Sequence, residues 1–367
     1  MADKETENTE KVLNDKKDIL FVLLFILCVL AIALFNYIVD PYYIFRKETI
    51  NGFNNVKTHQ FSNRREILYS DVKINTKGKD VVFTGNCLLS RYGSGLDNVV
   101  FFTVPVVKIS EVSQIVKNLI SYSPEIKTIY WGMFFDDFWN KDEDEDNGIL
   151  PEFSSKCVEL QDFINLFFSY NTTKYSIETI RDSVKNHGEK MKYVYPFREI
   201  ADKTYSDKFS LDSLKAVKET VEFANEHGVK LVIYYSPINV TKKMHIYSKN
   251  QWDNYRKLKL ELANVCDFYD YSLSNKYNSN ILDGNSKYYL DNIHLSSEYD
   301  KFIINDLLSA DKKVAKLVTK ANAKAMTEKE LIDLMNFIDK NKSTYEKIKQ
   351  VSIDDRFERI EKKTAEN

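Results

Sequence analysis

Cys87, Asp291 and His294 are the residues whose types and surroundings best fit covalent chemistry. Covalent acyl transfer needs a nucleophile, a base that reaches it, and a group that orients the base. Cys87 follows Gly85-Asn86 at the end of the apolar run Val81-Val82-Phe83-Thr84. That run reads as a short buried strand entering a tight turn. A side chain just past such a turn is held at the carboxyl edge of a sheet, where open α/β sheets place ligands and nucleophiles. Residues 88–92 can start a helix, and backbone amides at a helix N-terminus lower a thiol pKa. His294 supplies the base. Asp291, three residues earlier in Asp291-Asn292-Ile293-His294, can fold back to hold the imidazole tautomer. Ser90, one helical turn beyond Cys87, is the fallback nucleophile. Taken singly, Cys87 also fits a small core residue and Asp291 a helix cap. Three of the five histidines read as surface residues. His187 and His227 precede glycines at helix ends, where a cation suits the dipole, and His245 falls in a charged stretch.

These residues need a scaffold, and the pattern between them supplies one. Strands are expected at 81–84, 99–104, 128–133, 230–236 and 267–271. Each is a short apolar run with β-branched or aromatic content, as strands buried on both faces require. Helices are expected at 110–121, 211–227, 252–265 and 297–308, the second stopping at Gly228. Alternating strands and helices predict an α/β fold, a mainly parallel sheet with helices on both faces.

Residues 19–35 are uncharged and apolar, and with 36–39 they reach the roughly 20 residues that cross a bilayer. No polar stripe interrupts them, so a membrane anchor at 19–39 is expected rather than a core helix. Ala31-Ile32-Ala33 imitates a signal-peptidase site but lies inside the apolar run, which favours an uncleaved signal anchor. The remainder is then expected outside the cytoplasm at the plasma (inner) membrane. Residues 1–18 are polar and expected to be disordered, 40–77 form a neck, 78–310 the α/β domain, and 311–367 a charged helical tail. Residues 140–205 break the strand–helix alternation and read as an insertion or cap. The acidic run Asp142–Asp146 within them lacks the glycine and glutamate spacing of an EF-hand loop. In the tail, Thr327 and Glu330 have capping-box spacing ahead of an apolar stripe through Leu331, Leu334, Met335 and Ile338.

The net charge of −2 lacks the basic excess of a nucleic-acid binder. The four cysteines, at 28, 87, 157 and 266, have no metal-ligand or disulfide-framework spacing, so neither metal nor cofactor is expected.

Over residues 78–308 the chain resembles the membrane-anchored SGNH (GDSL-like) hydrolase superfamily. In layout it is closest to the proteins of alginate acetylation and teichoic-acid D-alanylation. The resemblance rests on the N-terminal anchor, Gly85-Asn86-Cys87 in place of Gly-x-Ser, and the late Asp291-Asn292-Ile293-His294. It also rests on the strand running from Lys230 to Pro237 and on the segment from Tyr130 to Asp137. It implies a three-layer α/β/α domain and an esterase or O-acyltransferase acting on a cell-envelope glycan or acyl ester. A membrane acyl-donor protein is an implied partner. The departures are specific. Cysteine replaces serine, Phe101-Phe102-Thr103-Val104-Pro105 offers no glycine to an oxyanion hole, and the third block offers Gly132 and Asp136 where an asparagine is usual. Asn86 and the Cys87 backbone N–H remain as donors, with Gly132 an auxiliary candidate. The alternative is a catalytically degenerate domain that binds a glycan or scaffolds an envelope complex.

Overall fold

In the computed structural model, the described residues are 2–41, 50, 52–55, 76–85, 96, 98–103, 109–138, 167–185, 213–281, 287–289 and 294–350. In chain order their elements are α1 (Ala2–Val39), β1 (Val81–Gly85), β2 (Val99–Thr103), α2 (Ile109–Tyr122), β3 (Thr128–Met133) and α3 (Tyr170–Lys185). There follow α4 (Ser213–Glu226), β4 (Lys230–Tyr235), α5 (Val240–Ser248), α6 (Trp252–Val265), β5 (Phe268–Asp270), α7 (Ser297–Leu308), β6 (Lys316–Val318) and α8 (Ala323–Lys340). The chain divides into two compact units, Met1–Ile74 with Lys156–Tyr193, and Asn75–Ser155 with Val194–Asn367.

The second unit is the α/β domain. Its sheet runs β2-β1-β3-β4-β5-β6, with β1 to β5 parallel and β6 antiparallel to β5. The apolar runs form buried strands because both faces are covered. On one face Phe83, Tyr130, Val232 and Tyr234 meet Tyr299, Ile303, Ile304 and Leu307 of α7. Alternation turns Val82, Ile129, Trp131 and Ile233 to the other face, where all are buried. There α2 packs on α4 and reaches β1, and α4 reaches β4. Phe83 stacks between its register partners, 5.0 Å from Phe101 and 4.6 Å from Tyr130. Each such pair contributes about 0.5–1.5 kcal/mol beyond its buried area.

Two elements depart from expectation here. The stretch around His245 is α5, and His245 is 1% exposed, not a surface residue. Its helix is buried nearly all round, which erases the periodicity of a half-exposed helix. The C-terminal segment packs on the domain: β6 closes the sheet and α8 packs on α5 and α6. This helix does not begin at a capping box. The strong helix formers Ala323-Lys324-Ala325-Met326 extend it back, leaving Thr327 and Glu330 inside it.

In the first unit, α1 contains a 23-residue stretch, Lys17–Val39, long and apolar enough to cross a membrane. The helix runs back to Ala2, through residues whose composition predicts disorder. Extending a formed helix costs far less than nucleating one, so the apolar segment can carry the polar one with it. The Asn36 side chain donates to the Phe167 carbonyl (2.7 Å) and to Thr173 Oγ1 (3.0 Å), and accepts from Ser176 Oγ (3.0 Å). Thr172, Ser176, Thr179 and Ser183 form a buried stripe of small residues along α3. Of the expected 140–205 insertion only residues 167–185 are described, and α3 within them groups with α1.

Candidate functional site

The site is built from the end of β1 outward. Gly85 closes the strand with φ +123°, a backbone region that side-chain-bearing residues rarely adopt. A Cβ at Gly85 would lie 2.2 Å from the carbonyl oxygen of Gly132, its register partner on β3. Gly85 is therefore pressed against its neighbour strand in a conformation open to glycine. Asn86, Cys87 and Ser90 follow it and lie outside the described residues, as does Asp291.

His294 is described and half-buried. It precedes Leu295, which bridges to Tyr289, and Ser296, which caps α7. The Ser296 N–H donates to the Tyr288 carbonyl (2.9 Å) and its hydroxyl donates to the Lys287 carbonyl (2.7 Å). His294 is thus held between a bridge and a cap, ahead of a helix whose Tyr299 and Ile303 share a cluster with Phe83 of β1. The structure brings the helix behind His294 and the strand ahead of Cys87 into one core.

Gly132 has a structural role of its own. A Cβ there would meet Tyr234 Oη at 2.4 Å, so the phenol of β4 occupies its side-chain space. Burial, with Asp300 nearby, pushes the Tyr234 phenol well above its ordinary pKa, so it stays neutral. Gly132→Ala is expected to destabilise the domain by about 1–3 kcal/mol through overpacking. Tyr234→Leu in the same chain should recover part of that loss in a urea titration.

Asp136 lies four positions beyond Gly132, in the short 3₁₀ turn Phe135–Phe138 after β3. It accepts from Lys242 Nζ at 2.9 Å, and Lys242 is fully buried. An aspartate next to a developing oxyanion would oppose catalysis if its charge stood alone. Here the ammonium of Lys242 offsets it. Sequence reading missed Lys242 and the buried group around Lys243, Lys259, Asp270 and Glu330. The available signal was a pair of lysines between Val240 and Met244, in a segment otherwise suited to burial.

Cys28 is exposed on α1. Burial, followed by the nearby Asp267, pushes the Cys266 thiol up to about 12, which makes it a poor nucleophile. No group of three or more His, Cys, Asp or Glu residues that could hold a metal comes together among the described residues.

No family model matches the chain, and no curated protein matches it. Among solved structures, one described as a candidate platelet activating factor from Streptococcus pneumonia is similar at 11% identity and a TM-score of 0.37. The match covers 68% of this chain and 94% of that one.

Proposed function

We propose that this chain is a membrane-tethered, SGNH-like ester hydrolase or O-acyltransferase acting on acyl groups of a cell-envelope polysaccharide, through a thioester on Cys87. The observation that supports it most is the parallel order β2-β1-β3-β4-β5 with Gly85, at φ +123°, ending β1. In this order the connections leaving β1 and β3 diverge, and open sheets bind ligands in the crevice outside that switch point.

His294 takes the Cys87 proton, and the thiolate attacks the acyl carbonyl. The tetrahedral intermediate collapses as His294 returns the proton to the departing alcohol, leaving the thioester. Water or a glycan hydroxyl then gives its proton to His294 and attacks the thioester. Collapse releases the acid or new ester and reprotonates Cys87. Asp291 holds the imidazole tautomer, and the Cys87 N–H with the Asn86 side chain receives the oxyanion. The α1 helix anchors the enzyme with its sheet domain outside the cytoplasm, which keeps it at polymers on the membrane face.

The test is p-nitrophenyl acetate turnover by the full chain in detergent. His294→Ala is expected to slow turnover by about 10²–10⁴-fold, and Cys87→Ala to reduce it to background. A burst of acylation on Cys87 without turnover would identify a transferase lacking its acceptor. A folded protein that never acylates would overturn the reading in favour of a degenerate glycan-binding or scaffolding module.

A further inference from the structure

The interface of α8 buries a carboxylate where helix interfaces ordinarily bury apolar side chains. Glu330 is 2% exposed. Its Oε1 lies 2.7 Å from Lys243 Nζ on α5, and its Oε2 lies 2.7 Å from Lys259 Nζ on α6. Tyr255 Oη donates to Oε1 at 2.9 Å. Behind Lys259, Asp270 at the end of β5 is 2.8 Å away, and Ser272 Oγ accepts from the same ammonium at 2.8 Å. Lys243 and Lys259 thus balance Glu330 and Asp270. Without Glu330, the rest of the fold would hold two buried ammonium groups against one carboxylate, with a phenol beside them. That donor set is complementary to a carboxylate. The other buried residues of α8 are Ala323, Thr327, Leu334 and Ile338. Met326, Leu331 and Phe337 are half-buried, so the ion pairs sit within an apolar helix interface.

A second observation extends this one. Lys242 and Lys243 are neighbours on α5, so their side chains leave the helix about 100° apart. Lys243 reaches α8, while Lys242 reaches Asp136 beyond β3. Neighbouring lysines therefore join the C-terminal helix to the turn at the candidate site.

We propose that α8 is a self-supplied ligand. Glu330 plugs a carboxylate-binding pocket made by Lys243, Lys259 and Tyr255, and the docked helix fixes Asp136 through Lys242 and Lys243. The relevance of Asp136 to catalysis rests on the function proposed above; the pocket and its coupling do not.

The experiment uses the full chain in detergent, Glu330→Ala, and sodium formate as the probe against sodium chloride at equal ionic strength. Hydrogen exchange is followed in α8 and at the amides of Phe134 and Asp137, which donate to Asp137 Oδ2 and the Phe134 carbonyl. The variant is expected to exchange faster in both places, on the order of tenfold, as local opening becomes easier. Formate should reverse both changes saturably and chloride should not. Adding Lys243→Met should abolish the rescue. Should Glu330→Ala not fold, its refolding yield against formate gives the same reading. Equal effects of formate and chloride overturn the pocket. Faster exchange in α8 with none at Phe134 and Asp137 overturns the coupling. Neither readout depends on whether Cys87 accepts an acyl group.

Discussion

Gly85→Ala is expected to cost the fold about 4 kcal/mol, summing backbone strain of about 1–3 kcal/mol with a similar overpacking cost. The strain arises because φ is +123°. The overlap arises because the new Cβ would sit 2.2 Å from the Gly132 carbonyl oxygen, 3.0 Å from its carbon and 3.1 Å from its nitrogen. These are backbone atoms of a paired strand, so they cannot swing aside as the end of a long side chain would. Relief requires β1 and β3 to separate at the site. Gly78→Ala is the control. Its φ is +71° and a Cβ there meets nothing within 4 Å, so only left-handed strain of about 1–2 kcal/mol remains. Urea titrations of the full chain in detergent, followed by circular dichroism, compare the two. Equal losses would show that β1 and β3 part readily, and that Gly85 is not held against Gly132 as the geometry indicates.

Acid is expected to remove about 3 kcal/mol of stability between pH 4.5 and pH 2 through Glu330 alone. Burial raises this carboxyl's pKa, but Lys243 and Lys259 outweigh it and draw it from 4.5 down to about 2. The sign follows from linkage. A carboxylate depressed in the folded state stabilises the fold above its unfolded pKa, and loses that contribution as pH falls through the folded value. The groups facing it are Lys243 from α5, Lys259 and Tyr255 from α6, and Asp270 from β5. Burial also lowers the Lys243 pKa, against the pull of Glu330, but that change acts at the alkaline end. Glu330→Gln should cost about 3–5 kcal/mol at neutral pH, because it leaves buried ammonium groups under-compensated. It should also flatten the acid limb of a stability–pH curve measured by urea unfolding. An unchanged limb would place the acid-sensitive group elsewhere.

The parallel strands were legible because burial on both faces leaves a simple trace, a short apolar run between turn residues. Thr128–Met133 coincides with its expected bounds, and β1, β2, β4 and β5 lie within a residue or two of theirs. The special place of Gly85 was legible for a related reason, since few residues other than glycine can end a strand at a positive φ. What escaped was tertiary in origin. Val240-Thr241-Lys242-Lys243-Met244 looks like a charged loop until two carboxylates, 106 and 87 positions away in sequence, arrive to neutralise the lysines. Glu330 has the local spacing of a capping residue, yet long-range lysines claim its carboxylate. Residues 316–318 are too short to register as a strand before β5 offers an edge to pair with.

The placement of Glu330 also sets an order of events during synthesis. It is made 71 residues after Lys259, the partner whose burial it permits. Until that stretch emerges, Lys243 and Lys259 are better left in water than sealed against Asp270 alone, and the edge of β5 has no β6 to cover it. A product truncated before β6 would lack both the charge and the strand that complete the domain.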